Sequence, residues 1–398
     1  MKQARAFLLT HKTQIGIALI VLAGLSAFYS YRLASLVPGL SYQESMASTQ
    51  IVGWHGLSND PLYLPLKFIR SIVFTVAIDH GRLLTRLPNV LFGVLSVLSL
   101  IALVKLWHGW RTALLIGLLY ASSAWTLHTT RLASFDVLYL WATPTILLLH
   151  SLTGKFPNKK VLMFSTIAIW GLLLYIPGMV WLIAPIIYSR RPQYKSLLTN
   201  ESTVSQRVIF GLLSSIWLPL LLYRLATSGD FLKTWLGLPT HFANMHSVLK
   251  EFLAVPLHLF IRGPEYSDLW LGKMPILDIF TLTITVLGIY FYLRHWKNSR
   301  ARLLLFYLIG GGVLIGLHGP VSLSLLVPLL YIFAGMGITY LLHEWLKVFP
   351  RNPLARGIGI AVLSIAVFLS CILNTRAYFV AWPHNLAAKA TFQYQRLN

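Results

Sequence analysis

Acidic residues are scarce in this chain, which has 11 aspartates and glutamates against 33 lysines and arginines over 398 residues. The formal net charge of +22 would suit a protein that binds nucleic acid. The basic residues, however, lie in short clusters between long apolar runs. That is the pattern of residues that set the orientation of a membrane protein. We therefore expect no nucleic-acid partner.

The chain also lacks the short motifs of several common sites. Its single cysteine, Cys371, can form no intramolecular disulfide and gives no evidence about the compartment. No His-x-x-x-His or Cys-x-x-Cys spacing predicts a tight metal site. Neither a glycine-rich phosphate loop nor a Gly-x-Ser-x-Gly nucleophile turn occurs. No local motif therefore identifies the chemistry.

Charged residues of both signs make up only 11% of the chain, whereas hydrophobic residues make up 56%, which excludes a soluble globular protein. The apolar runs are continuous and do not alternate, so they predict membrane-spanning helices and not a β-barrel. The predicted fold is an all-α integral membrane protein with about eleven spans. These are residues 14–33, 86–106, 111–128, 135–152, 161–175, 177–189, 207–225, 276–293, 302–317, 320–343 and 357–377.

Basic clusters fall on one side of the membrane if the spans alternate, and that side is cytoplasmic by the positive-inside rule. The N-terminus is then cytoplasmic, while two long loops, 34–85 and 228–275, are outside. The loops and span ends on the outer side hold nine of the 11 acids, which are Glu44, Asp60, Asp79, Asp136, Asp230, Glu251, Glu265, Asp268 and Asp278. The outer mouth is therefore where we look for chemistry.

The two outer loops differ in character. The first contains an apolar stretch from Leu62 to Ile78 that Lys67 and Arg70 interrupt, which predicts a helix lying at the membrane interface. The second mixes apolar stretches with histidines and charges, and it has room for a re-entrant segment. We divide the chain into a membrane module, 1–377, and a short external tail, 378–398.

Two acids at the ends of apolar runs are candidates for chemistry. Glu44 either closes a capping box with Ser41 at the start of a helix or serves as a catalytic base. Asp136 begins a span and Arg131 ends the one before it, so each charge suits the dipole of its own helix. Either acid could instead belong to a reaction site, because a carboxylate beside hydrocarbon needs a partner to stay ionised.

Arg86 is harder to explain by helix electrostatics. It stands at the start of a span, where the helix dipole disfavours a cation. It could extend to lipid phosphates, hold an anionic ligand or pair with an outer acid. His128 lies one turn before Arg131 at the same mouth and is a weaker candidate.

Several of these stretches together resemble the multispanning C-type (GT-C) glycosyltransferases, in particular the branch of protein O-mannosyltransferases and lipid A aminoarabinose transferases. The resemblance covers about residues 15–190 and is looser thereafter. It departs from that branch in the pair Gln43-Glu44 and in Asp60. The stretches that carry it are Asn59 to Tyr63, Arg86 to Gly93, Arg131 to Asp136, Tyr175 to Gly178, His318 to Pro320 and Leu326 to Leu329.

The resemblance implies an inverting enzyme in the plasma membrane, of bacterial origin, that moves a sugar from a polyprenyl-phosphate carrier to an extracytoplasmic acceptor. It implies Glu44 as the base and Asp136 as a second acid that organises the site or, with Glu44, a divalent cation. The donor phosphate requires positive charge. The basic candidates that could bind substrate are Arg86, Arg131, Lys67, Arg262 and His128.

Three other functions fit some of these features. A flippase or transporter of lipid-linked glycans would use the same charges to line a pathway, but charges are sparse inside the spans. An oligosaccharide polymerase or ligase would favour paired arginines in a large late loop, where Arg262 stands alone. A non-catalytic membrane scaffold is the third alternative. We expect the transferase.

Overall fold

The computed structural model describes residues 12–49, 59–76, 81–192, 203–241, 244–265 and 268–394. Helices dominate these residues, and the only β pairing among them is an isolated bridge between Leu40 and Tyr394. The helices of the first half are α1 Lys12–Ser30, α2 Tyr42–Thr49, α3 Leu64–Val76, α4 Arg82–His108, α5 Trp110–Ser122, α6 Ala124–Arg131, α7 Val137–Lys155, α8 Lys160–Leu173 and α9 Val180–Ser189.

Helices of the second half follow the same apolar pattern, with two amphipathic pieces between α10 and α13. They are α10 Val204–Thr227, α11 Gly229–Trp235, α12 Met245–Phe260, α13 Ile279–Arg294, α14 Ser299–Gly316, α15 Val327–Val348 and α16 Pro353–Arg376. A 3-10 turn, Leu323–Leu325, precedes α15. A π turn, Ala377–Ala381, leads into two short helices, Trp382–His384 and α17 Leu386–Thr391.

Each predicted span overlaps a helix, and the all-helical prediction is confirmed. Among the described residues, five helices are long and apolar enough to cross a membrane. Five further apolar helices have 10–17 residues. The number of crossings, about eleven, therefore stays a prediction.

Close helix contacts build the core. α4 packs against α1, α3, α5, α7 and α15, and α13 packs along α15. The α13–α15 contact depends on glycines, because a Cβ atom at Gly288 would lie 1.8 Å from the carbonyl oxygen of Phe333. A Cβ at Gly337 would lie 1.9 Å from the oxygen of Ile284. Small residues at such contacts let two backbones approach each other in a membrane.

The predicted interfacial helix appears as α3. Its charged side chains, Lys67 and Arg70, are buried against the protein, whereas Phe68, Ile72 and Val76 are exposed. A helix that hides its charges and presents apolar side chains outward suits apolar surroundings.

The predicted external tail packs back onto the first outer loop along its described part, which the sequence did not indicate. The amide of Leu40 donates to Tyr394 (2.9 Å) and the amide of Tyr394 donates to Leu40 (3.1 Å). The indole of Trp382 donates to the carbonyl oxygen of Trp270 (3.0 Å), and Phe392 is buried. The C-terminal segment, residues 377–394, therefore closes one side of the outer mouth.

Candidate active site

Glu44 forms the capping box that its spacing predicts. Its amide donates to Ser41 Oγ (3.2 Å), and the Ser41 amide donates to Glu44 Oε2 (3.1 Å). The side chain is nevertheless completely buried, so it does more than begin α2.

Arg86 is the ion-pair partner of this buried carboxylate. Its Nε donates to Glu44 Oε1 and its Nη2 to Glu44 Oε2, both at 2.7 Å. It also donates to the backbone oxygens of Leu33 (2.9 Å) and Gly39 (3.1 Å). Of the roles open to Arg86, the structure shows the pairing with an outer acid.

The fourth acceptor position of Glu44 is also occupied, because the amide of Ala133 donates to Oε1 (3.0 Å). A carboxylate has about four lone-pair sites, and here Arg86 fills two, Ser41 one and Ala133 one. Glu44 therefore joins the first outer loop, α4 and the turn before α7, and no lone pair is left over for a substrate proton.

Asp136 is placed differently. It is the N-cap residue of α7, yet its side chain makes no capping hydrogen bond. It lines a cavity of about 270 Å³. Burial raises the pKa of its carboxyl group, and hydrogen bonds from Ser322 and Ser134 oppose that rise. The pKa of this carboxyl group therefore lies above that of an exposed aspartate.

The opposite wall of this cavity comes from residues distant in the sequence. Glu251 and His258 on α12 line it together with His318 and Ser322. His318 Nε2 lies 3.3 Å from Glu251 Oε1. We name this space, lined by Asp136, Glu251, His258, His318 and Ser322, the outer cavity.

A tyrosine contacts both the Tyr175–Gly178 stretch and the His318–Pro320 stretch beside the outer cavity. The hydroxyl of Tyr139, on the first turn of α7, contacts the backbone oxygens of Pro177 (3.2 Å) and Pro320 (3.1 Å). The stretches around Pro177 and Pro320 therefore meet next to Asp136, which their separation in the sequence could not reveal.

Lys67 lies on another side of the turn that carries Asp136. It donates to the Oδ2 (2.6 Å) and backbone oxygen (2.8 Å) of Asp60. Its Nζ is 5.8 Å from the ring centroid of Phe135, which stacks on Tyr63 at 4.3 Å. Lys67 does not itself line the outer cavity, but of the predicted substrate-binding cations it is the one that contacts the residue immediately before Asp136.

Arg131 and His128 are buried away from the outer cavity. With Arg86 they line a space of about 10 Å³, which admits one water molecule at most. His128 Nε2 lies 2.6 Å from the oxygen of Asp268, and Arg131 donates to Tyr31 (2.8 Å). This space is too small for a phosphate, so it gives no support to the predicted phosphate contacts of Arg86 and Arg131 or to the predicted substrate contact of His128.

Arg262 pairs with Glu265 on the exposed second loop and does not line the outer cavity. Its predicted substrate contact therefore receives no geometric support.

The predicted metal pair does not fit a cation. Glu44 has every oxygen engaged and lies against the positive charge of Arg86. Among the described residues, no group of three or more histidine, cysteine, aspartate or glutamate side chains could hold a metal ion. We derive no step through a metal.

Sequence reasoning missed Glu251, His258 and His318 as site residues. No short motif marks them, and Glu251 and His258 face the outer cavity only because α12 packs along α14. The His318-Gly-Pro stretch was the one available signal, and the left-handed backbone of His318 (φ 59°) marks the turn that brings it to the cavity.

No protein-family model matches this sequence, and no curated protein matches it. Solved structures do match its fold. The aminoarabinose transferase ArnT from Cupriavidus metallidurans, bound to undecaprenyl phosphate, has a TM-score of 0.54 and 11% identity over 94% of this chain and 76% of that chain. Its apo structure gives a TM-score of 0.53 at 10% identity, over 95% and 77% of the two chains.

A weaker likeness is to the oligosaccharyltransferase AglB from Archaeoglobus fulgidus, in complex with an inhibitory peptide and a dolichol-phosphate. Its TM-score is 0.49 at 15% identity, over 96% of this chain and 56% of that chain. At 10–11% identity the two ArnT structures establish the fold alone. The chain has the GT-C fold.

Proposed function

We propose that this GT-C chain is an inverting glycosyltransferase of the plasma membrane that takes a sugar from a polyprenyl-phosphate carrier and passes it to an acceptor hydroxyl outside the cytoplasm. The observation that carries the proposal is Asp136, a carboxyl group that caps nothing and lines the outer cavity. The likeness in fold to an undecaprenyl-phosphate-bound transferase supports the class of donor.

Asp136 is the better base of the two predicted acids. In the proposed step, an acceptor oxygen attacks C1 of the sugar from the face opposite the phosphate, and its proton passes to Asp136. The bond between C1 and the phosphate oxygen breaks, and the electron pair leaves with the polyprenyl phosphate. A base whose pKa lies above that of an ordinary aspartate accepts this proton more readily.

Glu44 then acts as a positioning residue. Its contact with the amide of Ala133 holds the turn three residues before Asp136, and Arg86 holds Glu44. This arrangement supports a shared site for the two predicted acids, in which only Asp136 touches the substrate.

Lys67 is the cation we assign to the departing phosphate. It lies beside Phe135 on the buried side of α3, whereas Phe68, Ile72 and Val76 form the exposed apolar side of that helix. A cation fixed near the leaving oxygen stabilises the charge that develops there.

A transfer assay tests the proposal. The purified chain is incubated with a panel of radiolabelled polyprenyl-phosphate sugars and host membranes as acceptor, and product formation is followed. Asp136→Asn keeps the size of the side chain and should lower the rate by about a hundredfold or more. The matched control is Asp230→Asn, at an exposed acid outside the outer cavity, and should keep the full rate. An active Asp136→Asn variant would remove Asp136 from the base role.

A further inference from the structure

A second cavity lies at the other end of the helices that form the outer cavity. It has a volume of about 470 Å³. Three of its walls are the ends of α7, α9 and α14, contributing Lys155, Arg190 and Arg300. We name it the basic cavity.

The length of α7 gives the distance between the two cavities. Asp136 directly precedes its first residue at the outer cavity, and Lys155 ends it 19 residues later at the basic cavity. At 1.5 Å per residue this is about 28 Å, close to the thickness of the hydrocarbon core of a bilayer. The basic cavity therefore lies on the opposite face, which the charge pattern predicts to be cytoplasmic.

The charged side chains that line the basic cavity are all positive. Among the described residues, no acidic side chain lines it. Arg300 sits in the first turn of α14, where the helix dipole is also positive, and the N-cap residue Asn298 gives no side-chain capping bond. An anion would stabilise both the cation and the uncapped helix end.

Two of the three cations have close neighbours in the cavity wall. The guanidinium of Arg300 lies 5.3 Å from the ring centroid of Trp107, whose indole donates to Ser151 (3.0 Å). Gly154 leaves room for Arg190, since a Cβ atom there would lie 2.3 Å from its Nη2. His150 adds a buried Nδ1 with no hydrogen-bond partner in the described structure. The cavity therefore combines three cationic side chains with a buried polar atom that lacks a hydrogen-bond partner in the described structure.

We infer that the basic cavity binds a phosphate-bearing anion, either the headgroup of an anionic lipid or a free phosphate, at the face opposite the proposed transfer site. Guanidinium groups form strong charge-assisted hydrogen bonds with phosphate oxygens. The volume also leaves space for the glycerol of a lipid headgroup beside the phosphate. This inference is independent of the glycosyl transfer.

Binding of short-chain lipids to the full chain in detergent tests it. The probes are dihexanoyl phosphatidic acid, inorganic phosphate and, as a zwitterionic control, dihexanoyl phosphatidylcholine, with affinity measured by thermophoresis. Arg300→Gln and Lys155→Gln should each weaken binding of phosphatidic acid at least tenfold. Lys347→Gln removes a cation on the same predicted face that does not line the cavity, and it should leave the affinity unchanged.

The probes also distinguish a lipid headgroup from a free phosphate as the ligand. Competition of inorganic phosphate with phosphatidic acid at equal concentration identifies a free-anion site, and failure to compete identifies a lipid headgroup. Thermal unfolding of each variant separates lost binding from lost folding, because the exposed Arg300 and Lys155 should not change stability. The inference is overturned if neither anion binds saturably, or if Lys347→Gln weakens binding as much as Arg300→Gln.

Discussion

At the scale of single residues, two acids that look alike in the sequence have different surroundings. Glu44 is buried with all of its acceptor sites occupied, and Asp136 lines an open cavity. A buried ion pair that loses one partner leaves an uncompensated charge, which costs about 3–5 kcal/mol. The structure therefore predicts that the two acids respond differently to the same neutralising change.

Glu44→Gln should destabilise the protein, because it leaves the guanidinium of Arg86 without a counter-charge. We expect a lower midpoint of thermal unfolding in detergent, with a loss of about 3 kcal/mol. Asp136→Asn serves as the comparison, since it removes a charge without breaking an ion pair. Equal midpoints for Glu44→Gln and the unmodified protein would contradict this role for the pair.

The pH dependence of transfer reports on Asp136 directly. As a base it must be ionised, and burial raises its pKa, so kcat/KM should fall on the acid side at a higher pH than the ordinary value of about 3.9. Ser322→Ala removes a hydrogen bond that lowers this pKa and should move the acid limb to still higher pH. An acid limb that stays in place would show that Ser322 and Asp136 are not coupled.

At the scale of elements, the C-terminal segment is the part that the apolar pattern did not explain. Phe392 is 2% exposed and packs edge-on against Trp382, at 5.5 Å between ring centroids. Phe392→Ala should cost about 3 kcal/mol of stability through the lost burial and the cavity left behind. Leu386→Ala, at a side chain 82% exposed on the same segment, is the control and should be neutral. Equal unfolding midpoints for the two variants would mean that the segment does not hold the fold closed.

The contact between α13 and α15 gives a second element-scale test. Gly288→Ala would place a Cβ atom against the backbone oxygen of Phe333, and backbone cannot move aside cheaply. We expect poor folding yield and a lowered unfolding midpoint by size-exclusion chromatography and thermal melts. Gly310→Ala, on α14 with nothing within 4 Å, should behave like the unmodified chain. A Gly288→Ala protein with normal stability would argue against the close crossing.

Whether a feature could be predicted from the sequence depends on how far apart in the chain its interacting residues lie. The helices and the Ser41–Glu44 capping box depend on neighbouring residues, so they were predictable. The partner of Glu44 lies 42 residues away, and its identity remained one of three alternatives for Arg86. Glu251 and the packed C-terminal segment reach the outer mouth only through tertiary contacts, for which no local pattern exists.

At the scale of the whole molecule, the proposed function requires the outer cavity to face away from the cytoplasm. Reporter fusions after residues 155, 195 and 298 should read cytoplasmic, and fusions within 235–270 or after 385 should read external. An external signal at 155 would show that the orientation is the reverse of the predicted one. The outer cavity would then face the cytoplasm, where nucleotide sugars are found. Such a result would remove the polyprenyl-phosphate donor from consideration.

The outer cavity and the fold lead to one central claim, that a polyprenyl-phosphate sugar reacts beside Asp136. The most direct measurement is a cryo-electron microscopy structure of the chain with a polyprenyl phosphate bound. We predict phosphate density in or at the edge of the outer cavity, within hydrogen-bond distance of Lys67 and on the order of 10 Å or less from the Asp136 carboxyl group. Phosphate density confined to the small space beside Arg131, or to the opposite face, would contradict the account.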